Sequence, residues 1–222
     1  MSGPYYADDS VTLWHGDCLE HPEWWTGADV LVTDPPYGMA YDSGWVKGRS
    51  HPIAGDGTAA VRDAALGLWG DRQAAVFGTW RVPRPADTAH VLVWDKTDGV
   101  GPGMGNLSAA FGSSHEEIYL LGRWVKRSTR RGSVIRSSEA MGNPNGLVAR
   151  SGHPTPKPLG LMEALIEPTR GTIADPFAGS GSTLAAAARL GRHAIGVEIE
   201  ERYCEVIAKR LAQGVLDFGG AA

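Results

Sequence analysis

The sequence predicts an α/β fold, one sheet with helices on both faces, and three observations predict it. Short apolar stretches alternate with helix-period patterns along most of the chain. One such stretch, Val30 to Val32, runs into the stiff corner Asp34-Pro35-Pro36-Tyr37. Another, ending in Asp175, runs through a glycine turn into a helix.

The elements follow in order. Val11 to Trp14 reads as a strand leading into Gly16-Asp17, and Asp29 to Thr33 as a second. Thr58 is a candidate N-cap for a helix whose face carries Val61, Ala64, Ala65, Leu68 and Trp69, at i, i+3, i+4, i+7 and i+8. Ala74 to Phe77, His90 to Trp94 and Ile118 to Leu121 are three further strands. Leu159, Met162, Leu165 and Ile166 form a helical stripe just after Pro158, a good first-turn residue. Thr172 to Ala174 is a strand ending in Asp175. Leu184 to Leu190 is an alanine-rich helix, and Ala194 to Val197 the next strand. Tyr203, Val206, Ile207 and Leu211 give the last helix its buried face. Gly38 to Gly57 reads as a loop, and residues 123–152 as an insertion on the sheet's edge.

A chain of 222 residues suits a single domain spanning 1–222, large enough to bury a core. No apolar run approaches the ~20 residues of a membrane span, and Met1 to Ser10 is too polar and acidic for a signal peptide. The two cysteines, Cys18 and Cys204, lack metal-type spacing. A disulfide framework or metal site is therefore not expected, and a reducing cytoplasm is. A net charge of −4 gives no global pull towards nucleic acid, so any such contact needs a local basic patch.

Two motifs carry chemistry. In Asp175-Pro-Phe177-Ala-Gly179-Ser-Gly181-Ser-Thr183, glycines admit a ligand close to the backbone, and Glu198 ends the following strand, where a doubly wound sheet places a ribose-gripping carboxylate. A bare structural strand–helix connection is the competing reading. The turn is too short for a dinucleotide fingerprint and is no phosphate loop, which points to an adenosine compound without a pyrophosphate. In Asp34-Pro35-Pro36-Tyr37, a carboxylate, stiffly held carbonyls and an aromatic face form a pocket for a planar group bearing –NH₂. Here the alternative is a strand-ending turn with a satisfied Asp and a packed Tyr.

Together these motifs resemble the amino-group (adenine-N6 and cytosine-N4) DNA methyltransferases. The catalytic motif precedes the cofactor motif, as in that family's permuted β group. His15-Gly16-Asp17-Cys18 is similar to the family's element near the cofactor adenine. His153-Pro-Thr155-Pro-Lys157-Pro158 resembles its segment beside the methionine moiety. The resemblance implies a Rossmann-like, S-adenosylmethionine-dependent methyltransferase sheet and DNA as partner. It implies catalytic roles for Asp34, Pro35, Pro36 and Tyr37, and cofactor contacts from Asp17, Cys18, Thr155, Lys157, Asp175, Phe177, Gly179, Gly181 and Glu198. A homodimer, a bacterial or phage-infected cytoplasm and a place in restriction-modification are further implications. The presumed target-recognition region, 123–152, is short for the family.

Arg123, Lys126, Arg127, Arg130, Arg131 and Arg136 cluster beside Trp124 without an intervening acid, which suits phosphate contact; a solvated charged strand is the alternative. Lys47 and Arg49 are weaker DNA-binding candidates, together with His51 and Trp45. Asp34 at the first motif position leans towards adenine, since Ser is commoner in the cytosine-N4 branch. Cytosine-N4 methylation, RNA base methylation and an inactive DNA-binding subunit stay open as alternatives.

Overall fold

A computed structural model describes residues 3–36, 59–97, 99, 101, 103, 108, 110–125, 131–137 and 156–218. The strands are β1 (Tyr6–Ala7), β2 (Val11–His15), β3 (Val30–Thr33), β4 (Ala74–Gly78), β5 (Thr88–Asp95), β6 (His115–Leu121), β7 (Val134–Arg136), β8 (Ile173–Asp175) and β9 (Ala194–Glu198). The helices are α1 (Ala60–Trp69), α2 (Leu159–Ile166), α3 (Ser182–Arg189) and α4 (Glu201–Phe218), with a short 3-10 turn at Pro22–Trp24.

All described strands join one sheet in the order β1-β2-β9-β8-β3-β4-β6-β5-β7. Only β1 and β6 run against the rest, as their antiparallel pairings with β2, β4 and β5 require. The central strands β3, β4 and β8 are buried along their whole length, as expected where helices cover both faces. Alternation sorts their side chains into two cores. Val30, Val32, Ala75 and Phe77 pack with α2, α3 and α4 through Leu161, Leu165, Leu184 and Ile207. Leu31, Ala74, Val76 and Tyr119 pack on the other side with Trp25, Ala65 and Trp69.

The α/β architecture is the one the sequence predicts, with three differences. In α1 Ala65 and Trp69 of the expected stripe are buried, but Arg62 joins them while Ala64 and Leu68 are exposed. Trp69 fixes the rotation by stacking on Trp25, with ring centroids 6.0 Å apart and planes within 10°. Residues one and two turns back, Ala65 and Arg62, are thereby turned inward. The helix begins at Ala60, while Thr58 lies outside the described residues. Finally, β1 and β7 extend the two edges; β7 arises inside the expected insertion and pairs parallel to β5.

Topology positions the site. From β8 the chain crosses through α3 to β9 on one side, and from β3 through α1 to β4 on the other. Connections diverge between the neighbours β8 and β3, and such a switch point opens a crevice beyond the strands' C-terminal ends. Asp175 closes β8 and Asp34 follows β3, so the two motifs meet there.

Candidate active site

The β8 side is built around two buried carboxylates. Asp175 Oδ1 accepts hydrogen bonds from Thr33 Oγ1 at 2.7 Å and from the Phe177 amide at 3.2 Å. Burial nevertheless pushes its pKa up to about 6, against those hydrogen bonds and one from Thr183. Glu198 turns back under the glycine turn. Its Oε2 accepts the Gly179 amide at 2.7 Å, and its Oε1 the Glu200 amide at 2.8 Å. Burial is again the largest influence, raising this carboxyl to about 7 although both backbone bonds favour the charged form.

The turn itself needs its glycines. Gly179 and Gly181 sit at φ 52° and 73°, in the left-handed region. A Cβ on Gly181 would lie 2.9 Å from Ile207 Cγ1 of α4. Arg210, also on α4, donates to the Ser180 carbonyl at 2.9 Å and so braces the turn from behind. Phe177 is half-buried and packs against the Trp25 side of the core.

The end of β2 lies beside β9, with His15 in register with Glu198. The Gly16 amide donates to the Glu198 carbonyl at 3.0 Å. Asp17 Oδ1 accepts the Leu19 amide at 2.8 Å, which fixes the turn that follows. Cys18 is a core residue: its side chain is buried, its thiol pushed up to about 12 chiefly by burial, and its carbonyl accepts Trp25 Nε1 at 2.9 Å. Over Gly16 lies Trp24, sandwiched between Trp14 and His21 at 4.8 and 4.1 Å.

Across the switch point stands Asp34, half-buried, with Pro35 buried and Pro36 half-buried after it. Lys157 Nζ lies 2.6 Å from Asp34 Oδ2 and 3.2 Å from Glu116 Oε2. Lys96 Nζ meets the other oxygen of Glu116 at 3.2 Å. Thus the lysine expected beside the cofactor's methionine has its ammonium on the Asp34 carboxylate. Tyr37 and Thr155 lie outside the described residues.

The basic candidates divide. Arg123 and Arg136 are exposed, and Arg136 lies 3.8 Å from Asp95. Arg131 is tied to α2, pairing with Glu167 and donating to the Ala164 carbonyl at 3.1 Å. Lys47, Arg49, Lys126, Arg127 and Arg130 lie outside the described residues, as do Trp45 and His51.

A family model for N6/N4 methyltransferases, described as DNA methylase, matches residues 86–210, more than half of the chain. The chain belongs to the N6/N4 DNA methylase family. The methylase is 24% identical to "Type II methyltransferase M2.LlaDCHI" of Lactococcus lactis subsp. cremoris, over 96% of this chain and 94% of that protein. Its fold is shared by the M1.HpyAVI–SAM complex, with a TM-score of 0.62 and 21% identity over 90% of this chain and 98% of that one. It is shared too by the cytosine-N4-specific PvuII DNA methyltransferase, with a TM-score of 0.66 and 16% identity over 94% and 89%.

Sequence reasoning gave no role to two residues that the methylase brings to Asp34. Glu116 and Lys96 stand at the open end of the β5–β6 ladder, where Trp94 is in register with Glu116. Charged residues of opposite sign at the paired ends of two apolar strands were the available signal.

Proposed function

We propose that this methylase transfers a methyl group from S-adenosylmethionine to the N6 amino group of adenine in DNA. The observation that carries the reading is the position of Asp34 and its proline corner, across one switch point from the glycine turn and Glu198. The donor set fits the cofactor. Each Glu198 oxygen accepts one backbone amide, so a second lone pair on each is left for a ribose diol. The anionic Asp175 suits the methionine ammonium, Phe177 and the two glycines suit close approach, and Asp17 lies on the adenine side. When bound, S-adenosylmethionine supplies a methyl group on a cationic sulfur.

The chain's residues do the positioning. An exocyclic amino nitrogen is a poor nucleophile because its lone pair is delocalised into the ring. Asp34 accepts one of its N–H groups and the Pro35 carbonyl the other, which frees that lone pair and stabilises the charge developing on nitrogen. The methyl would pass to that lone pair with the C–S pair left on sulfur, and the residues here would hold the amino nitrogen in line until it gave one proton to water. No strong base is needed, because the methylated nitrogen is acidic. Tyr37 stacks on the base, which leaves the duplex to be reached. Arg136, which ends β7, and Arg123, which follows β6 at the other end of β5, are exposed and suit phosphate contact. An aspartate at the head of the corner favours adenine over cytosine.

The test is transfer of labelled methyl to mixed-sequence duplex DNA, with mass spectrometry of the released nucleosides. N6-methyladenine is expected, and Asp34→Ala abolishes it while cofactor binding persists. N4-methylcytosine would keep the mechanism and overturn the base assignment. Full transfer by Asp34→Ala would overturn the mechanism.

A further inference from the structure

Lys157 is buried, its side chain only 6% exposed, and stands between two carboxylates from distant parts of the chain. We propose that Lys157 is the positioning residue of Asp34: it holds that side chain as an anion in one orientation, braced from behind by Glu116 and Lys96. The proposal rests on the reading of Asp34 given above.

Four observations carry it. First, the ion-pair geometry is close, with Nζ at 2.6 Å from Asp34 Oδ2. Second, the lysine is presented by rigid backbone. Pro156 and Pro158 flank it, all three residues are buried, and α2 begins immediately afterwards. Third, the ammonium is walled by the rings of Phe77 and Trp94, whose centroids lie 5.0 and 5.8 Å away. Water is thereby kept from one side of the pair. Fourth, the cluster is balanced: two ammonium groups, Lys157 and Lys96, face two carboxylates, Asp34 and Glu116. Burial pulls the Lys157 pKa down, but the two carboxylates outweigh it and raise it overall, so the lysine stays charged.

The functional consequence follows from hydrogen-bond inventory. An ionised carboxylate only accepts, whereas a protonated one carries a donor that would compete with the substrate's N–H groups. Without Lys157, Asp34 would face the negative charges of Glu116 and Asp175. Like charges at such range favour protonation. A lysine that instead gripped the cofactor would matter for its binding and not for Asp34.

The experiment compares wild type, Lys157→Met, Lys157→Arg and Glu116→Gln. Each is assayed for single-turnover methyl transfer at saturating substrates from about pH 5 to about pH 9, and for cofactor affinity by calorimetry. Carbon-13 NMR of the Asp34 carboxyl follows its ionisation directly, whether or not methyl is transferred. Lys157→Met is expected to slow transfer at least about 30-fold and to move the Asp34 titration up by about one pH unit or more, with cofactor affinity within about twofold. Lys157→Arg restores part of the rate. Glu116→Gln moves the titration the opposite way, because it removes negative charge, and Lys157→Gln takes the place of Lys157→Met should the latter not fold. Weakened cofactor binding with an unchanged rate would overturn the proposal and make Lys157 a cofactor ligand. An unmoved Asp34 titration in the variants would overturn it as well. Absence of transfer by the wild-type protein would instead refute the parent reading, and the NMR titration would still decide this one.

Discussion

Replacing Glu198 by Gln probes the proposed cofactor half of the site most sharply. Its two oxygens each accept a backbone amide, from Gly179 at 2.7 Å and from Glu200 at 2.8 Å. A glutamine keeps the shape but must turn an –NH₂ towards one of those N–H groups. The hydrogen bond lost to the turn weakens free and bound protein alike, but one charged acceptor for the ribose goes with it, about 1.5–3 kcal/mol of binding. At 1.4 kcal/mol per factor of ten, cofactor affinity should fall roughly 10- to 100-fold. The carboxyl's raised pKa adds a second signature. Only the ionised form accepts both ribose hydroxyls, and burial holds the group at about 7 in the free protein. Affinity should therefore weaken about tenfold between pH 8 and pH 6 in the wild-type protein. In Glu198→Gln this slope should vanish above about pH 7, leaving at most about a twofold change down to pH 6, where Asp175 is half-protonated. Calorimetry across that range measures both quantities. Equal affinities, or the same slope in both proteins, would refute the reasoning.

Three further outcomes are expected. Folded-state pKa values of about 6 for Asp175 and about 7 for Glu198 lie above ordinary carboxyl values, so the folded chain binds protons that the unfolded chain has released. Stability should thus fall as pH rises from about 5 to about 7.5, with Glu198→Gln flattening the upper part; a melting temperature that climbed over this range would contradict the burial argument. In Gly78→Ala, the new Cβ would stand 2.2 Å from Tyr119 Cε2, whose hydroxyl is fixed on Glu117 and the Thr79 carbonyl. Denaturant unfolding should show a loss of about 1–3 kcal/mol, and a change under about 0.5 would mean the ring yields easily. Removing the charges of Arg123 and Arg136 together should flatten the slope of log affinity for DNA against log salt by about 2; an unchanged slope would take both off the interface.

The corners were legible because their chemistry is local. Prolines after Asp34 and glycines after Asp175 constrain the chain within a few residues, whatever surrounds them. Apolar strands such as Val30–Thr33 and Ala74–Gly78 were legible because both faces are buried. Less legible features depend on contacts between distant segments. The rotation of α1 is decided by Trp69 meeting Trp25, which moves Arg62 inward and Leu68 outward. Strand β7 is three residues with exposed ends, too short to show a period. Lys157 was found by its motif, but its partner was not, because nothing near residue 157 announces a carboxylate at 34 or 116.

The interleaving of early and late strands bears on how this protein is made. The strands β2 and β3 leave the ribosome early, yet they are not neighbours; β9 and β8, synthesised after the other described strands, fill the gap between them. Each early strand therefore waits with a bare edge until β8 and β9 have emerged, a high-contact-order assembly in which closure is late and unpaired edges invite aggregation. Because Asp34 and Asp17 come from the early part and Asp175 and Glu198 from the late part, no nascent fragment short of β9 holds all four. Cofactor binding, and with it any DNA modification, begins only once β9 has emerged and paired.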